Sequence, residues 1–149
     1  MFFLIKNALE ECSAEQCHDA AEPYVAVLTP AQWAAQNENF DMGMDFDLNG
    51  EEIYTTKAEV NYDSLTGTFF IPTQSSHSTE PQKFSFVLDE TGIVFIDEGD
   101  EALRLVKRIQ HYKKWKKPCL ERFLYDFLEL IIHNDLRIMQ KYELELDSL

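Results

Sequence analysis

The stretch CLERFLYDFLELIIHNDLRIMQKYELELDSL, residues 119–149, decides how the rest of the chain is read. Leu120, Phe123, Leu124, Phe127, Ile131, Ile138, Tyr142 and Leu149 recur at helical spacing and form one apolar stripe. As a single helix started by Pro118, the segment would extend about 45 Å at 1.5 Å per residue, well past the usual three or four turns. It has no Gly or Pro stop and no basic last turn, and the stripe still runs at Leu149. The expectation is a stalk-like helix that continues beyond Leu149 in a longer protein. His133-Asn134-Asp135 interrupts the stripe, so a break into two helices near Asn134 is the alternative.

Upstream of Pro118 a second helix is expected after the acidic cap residues Asp97 to Asp100. Its apolar stripe is Ala102, Leu105, Val106, Ile109 and Tyr112, with Arg104, Lys107, Arg108, His111 and Lys114 opposite. Before it the pattern is that of strands. Phe84, Phe86 and Leu88 alternate, Asp89-Glu90-Thr91-Gly92 turns, and Ile93 to Ile96 returns as a continuously apolar run. Such a run implies burial on both faces of a sheet, hence helices on both sides. Another hairpin pairs Ala58, Val60 and Tyr62 with Thr68 to Ile71 through a turn at Asp63–Gly67. Phe2 to Ile5 and Tyr24 to Leu28 read as buried strands. Thr29-Pro30 starts a helix bearing Trp33, whereas Glu10 to Asp19 reads as polar helix or loop. The fold class is therefore α/β (α+β): a mixed, largely antiparallel sheet covered by helices, followed by a long C-terminal helix. Residues 1–117 form the α/β domain and 118–149 the start of the stalk-like helix.

The chain has 149 residues, 45% of them hydrophobic, and eleven Phe, enough for a real core. Its formal net charge is −14, which disfavours nucleic acid and anionic membrane surfaces as general partners. The charge is uneven. Residues 1–100 hold 19 acidic and 3 basic residues; residues 101–122 hold 2 acidic and 8 basic. Three cysteines, an odd number without framework spacing, fit a reducing compartment. No apolar run reaches the roughly 18–20 residues that cross a bilayer.

Residues 123–132 and 138–149, FLYDFLELII and IMQKYELELDSL, resemble the stalk region of the CorA family of magnesium and divalent-cation transporters. A Leu-Leu-Tyr start, an acidic and aliphatic stretch and a Leu-Glu ending are the family's pattern. The order hairpin, apolar strand, acidic turn, basic helix and Pro-led helix is also similar, over about Tyr54 to Leu149. Asp135 stands where the family usually has an aromatic residue, and Gly43-Met44-Asp45 only approaches the family's Gly-Met-Asn signature. The resemblance implies a cytosolic N-terminal domain at the inner face of the cell membrane. It also implies a pentameric homo-oligomer, regulatory Mg²⁺ or other divalent cations bound weakly between subunits, and membrane segments absent from this stretch.

Cation chemistry is best placed on Asp41, Asp45, Asp47, Glu51 and Glu52, since Mg²⁺ takes hard oxygen ligands, often one or two carboxylates with waters. Asp45 to Gly50 matches half of an EF-hand loop, but Thr56 stands where the bidentate Glu belongs, and Asn49-Gly50 is a hairpin pair. Cys12, Cys17 and His18 match no zinc spacing. The run Lys113 to Lys117 reads as a solvated helix end or as a dock for an acidic neighbouring subunit. Neither a nucleophile elbow, a phosphate loop nor a metalloprotease pair is present, so an enzyme is not expected. The competing reading is a stand-alone acidic module that binds a basic partner.

Overall fold

The computed structural model describes residues 1–40, 57–60, 63–71 and 82–149. Its strands are β1 (Phe2–Ile5), β2 (Leu9–Cys12), β3 (Tyr24–Leu28), β4 (Lys57–Val60), β5 (Leu65–Ile71), β6 (Gln82–Leu88) and β7 (Gly92–Ile96). Its helices are α1 (Ala14–Asp19), α2 (Pro30–Gln36), α3 (Glu101–Tyr112) and α4 (Leu120–Asp147), with a 3-10 turn at Asn37–Phe40. The strands form one sheet in the order β2-β1-β3-β7-β6-β5-β4. β3 and β7 pair in parallel at its centre and every other described pairing is antiparallel. This is the mixed, largely antiparallel sheet expected, with helices against it and a long helix last.

The two central strands are buried along their whole length. Their register, Val25 beside Ile93 and Val27 beside Phe95, sends these four side chains to one face and Tyr24, Ala26, Leu28, Val94 and Ile96 to the other. The first face is covered by Leu105, Val106 and Ile109 of α3 and by Phe123 and Phe127 of α4. Cys17, Trp33 and Phe40 cover the second. Burial on both faces is why β7 carries no alternation.

Local chemistry sets the turns and helix starts. Asp89 Oδ1 accepts from the Thr91 N–H at 2.7 Å and the Gly92 N–H at 3.0 Å, closing the β6–β7 turn. Glycine is required at 92 because a Cβ there would lie 2.6 Å from the Tyr24 ring. Thr29 and Ser13 each cap a helix in a reciprocal box with Gln32 and Gln16. Asp97 is buried and binds the Gly99 and Ala102 N–H groups at 3.0 and 2.6 Å, holding the start of α3. Burial raises its carboxyl above the usual range, against the lowering effect of these same N–H donors.

Four details differ from expectation. β5 begins at Leu65, not after Gly67, because Leu65, Thr66 and Gly67 have ladder partners on both β4 and β6. Pairing on two sides outweighs the turn preference of Thr66-Gly67. The segment read as polar helix or loop is split, with Glu10 to Cys12 in β2 and α1 starting at Ala14. Tyr112 is 72% exposed and leaves the α3 stripe, its place in the core being taken by Trp115. Finally, the core stripe of α4 stops at Ile138, although the helix itself runs unbroken through Asn134 and Asp135 as the single-helix reading expected. Beyond Ile138 every α4 residue is exposed, so Tyr142 and Leu149 of the expected stripe face solvent.

Candidate functional site

The described chain is most specialised at the root of α4. Leu120, Phe123 and Phe127 come round at helical spacing to face the sheet, and Phe127 stacks on Phe95 with centroids 4.6 Å apart. Asp126 lies three residues after Phe123, so the same phase draws a carboxyl group into the interior, where it is 1% exposed. One of its oxygens accepts the indole N–H of Trp115 at 2.7 Å. The other lies 3.8 Å from the Lys113 ammonium. The Trp115 backbone N–H donates to the Asn7 carbonyl at 2.6 Å. The β1–β2 turn, the connector after α3 and the first turns of α4 thus meet at one residue pair.

This geometry revises the reading of Lys113 to Lys117. The run is not a helix end, because α3 closes at Tyr112 and Lys113 is already extended. Lys114, Lys116 and Lys117 are exposed, but Trp115 between them is an anchor of the core. The lysines hid it. An acid at a buried helical phase, Asp126, was the mark in the sequence that something had to meet it.

Asp41, Asp45, Asp47, Glu51 and Glu52, the candidate cation ligands, lie outside the described residues. Their segment follows Phe40, which is buried beside His18 at 5.0 Å, Tyr24 and Trp33 at 5.9 Å, and Phe2 at 6.3 Å. Among the described residues no three His, Cys, Asp or Glu side chains are grouped to hold a metal ion. Two open clefts flank α1. One, about 500 Å³, has His18, Glu22, Glu90 and Glu121 in its wall; the other, about 520 Å³, has Glu10, Glu15, Asp19 and Glu22. Both are acidic, which concentrates cations without choosing among them.

Cys12, Cys17 and His18 are not grouped as metal ligands among the described residues. Burial pushes the Cys17 thiol up to about 12 and raises Cys12 as well, so both stay protonated thiols at neutral pH. His18 instead packs edge-on against Phe40 and Phe2. With a thiol-specific disulfide reagent, exposed Cys119 should react first, half-buried Cys12 slowly, and Cys17 only when the protein is unfolded. Fast titration of all three in the native protein would contradict this packing.

No family model and no curated protein sequence matches the chain. Solved structures do. The full-length CmaX protein superposes over 99% of this chain with a TM-score of 0.71 at 10% identity. The soluble domain of CorA from Methanocaldococcus jannaschii superposes over 99% with a TM-score of 0.59 at 15% identity. The chain has a CorA-type fold. It spans 49% of the CmaX chain and 62% of the archaeal CorA domain. In both matches nearly the whole chain is covered, so the CorA-type fold takes in the sheet and α4 together. Among the described residues no helix is long and apolar enough to cross a membrane.

Proposed function

We propose that this chain is the cytosolic regulatory and assembly domain of a CorA-like transporter of Mg²⁺ or other divalent cations, without enzymatic activity of its own. The observation that carries the reading is a CorA-type fold whose last helix is rooted in the core and then runs free of it. In a homo-oligomer, a pentamer by analogy with the family, cations bridging acidic faces of adjacent copies would favour one packing of the subunits. Asp41, Asp45, Asp47, Glu51 and Glu52 are the residues proposed to hold them. The Trp115–Asp126 pair then matters because it ties the sheet to α4, so a change in packing would tilt the helix. Couplings of about 1–3 kcal/mol suffice for such a device.

Titrating Mg²⁺ at constant ionic strength while following melting temperature tests the cation part. A ligand bound by the folded state alone stabilises it by RT ln(1 + [L]/Kd), about 1.8 kcal/mol at twenty times Kd. We expect a rise of about 5 °C by tens of millimolar Mg²⁺. Changing the five acidic residues together to Asn or Gln should abolish it. No shift up to that concentration, or an equal shift in the variant, removes the case for sensing through this segment.

A further inference from the structure

Seven Lys and Arg residues lie between Arg104 and Lys117, and their partners set one of them apart. Arg104 pairs with Glu101 at 2.8 Å, Lys107 pairs with Glu11 at 3.3 Å, and Lys113 lies 3.8 Å from Asp126. Arg108 has no acidic partner among the described residues, in a chain whose net charge is −14. It lines a groove of about 230 Å³ between α3 and α4, together with Lys113, Tyr112, Ile109 and Leu130. Tyr112 is the exposed wall of this groove, and the His111 ring meets it edge-on at 4.6 Å. Two cations and three apolar side chains thus share one small space.

We propose that this groove binds a small carboxylate with an apolar body, an aryl or short branched acyl group. The claim stands apart from the transport reading and needs no second copy of the chain. A guanidinium meets a carboxylate through two parallel N–H donors, which gives unpaired Arg108 a matched partner. Lys113 adds a point charge partly offset by Asp126. The charge balance selects a monoanion. The groove lies at the C-terminal end of α3, where the helix dipole is negative, and the acidic chain repels anions, so a phosphate dianion is penalised roughly twice as heavily. The apolar lining selects the body. A ring or branched chain removes Leu130 and the Tyr112 ring from water, which acetate is too small to do.

Benzoate is the probe, followed by calorimetry and by amide chemical shifts in the isotope-labelled chain. A ligand of its size should bind with a Kd of about 1 mM. The shifts should centre on Arg108, Tyr112 and Leu130. Benzamide, acetate and phenyl phosphate should each bind at least roughly tenfold more weakly. Arg108→Gln and Tyr112→Ala, both at exposed positions, should each weaken benzoate at least roughly tenfold while the melting temperature stays unchanged. Lys117→Gln is the control, since Lys117 is exposed, carries the same charge and lies outside the groove. No benzoate binding up to tens of millimolar overturns the site, and so does benzamide or acetate binding as well as benzoate. An equal loss from Lys117→Gln overturns it too, because a diffuse field would then explain the binding. Tighter binding of phenyl phosphate overturns the choice of a carboxylate. None of these readouts involves Mg²⁺, so the cation reading stands or falls separately.

Discussion

Phe127→Ala should lower the stability of the fold by about 3–5 kcal/mol, the largest loss expected from any single change on α4. Phe127 touches four rings: Phe95 at 4.6 Å, Phe123 at 5.9 Å, and Phe69 and Phe84 both at 6.0 Å. Truncation removes the ring and leaves a cavity among side chains that β5, β6, β7 and α4 hold in place, so collapse around it is limited. In a chain of this size the melting temperature should fall by about 10 °C or more. Urea unfolding should show a lower midpoint with little change in slope. A loss under about 1 kcal/mol would mean that α4 does not belong to the core.

Asp126→Ala should cost about 2–3 kcal/mol for a different reason. The side chain is small, but its removal leaves the buried Trp115 indole N–H without an acceptor. The Lys113 ammonium also loses its neighbour, a minor effect since Lys113 is 40% exposed. Asp126→Asn keeps an acceptor and should cost about half as much. Trp115 fluorescence gives the structural half of the test, because its emission should shift to the red as the ring gains access to water. An Ala variant as stable as the parent, with unshifted emission, would show that the pair holds nothing together.

Most of the fold was legible because its elements announce themselves by period. β7 is apolar without alternation, α3 repeats at three and four, and Thr29-Pro30 marks a helix start. What the sequence obscured was decided by tertiary contact. Thr66-Gly67 looks like a turn and is a strand, because partners exist on both sides. Trp115 sits in a run of lysines and is buried, because Asn7 and Asp126 wait for it. Tyr142 continues a core stripe on paper but lies past Ile138, where the sheet no longer reaches α4. For the site, the sequence offered five acidic residues whose positions lie outside the described chain, and it missed Asp126, which with Asp97 is one of two buried acids among the described residues. Carboxylates are so numerous here that residue type alone could not separate Asp126 from the rest; only its helical phase could.

The parallel join of β3 to β7 has a consequence for how this chain can vary. One excursion between Leu28 and Gly92 separates these two neighbouring strands in sequence, and β4, β5 and β6 within it extend the same sheet. Closing such an excursion costs an entropy that grows only with the logarithm of its length, so doubling the chain inside adds about 0.6 kcal/mol. Residues gained or lost after Phe40 therefore weigh little against the centre of the sheet. A change in the length of the excursion bears on the β3–β7 pairing only through that logarithm.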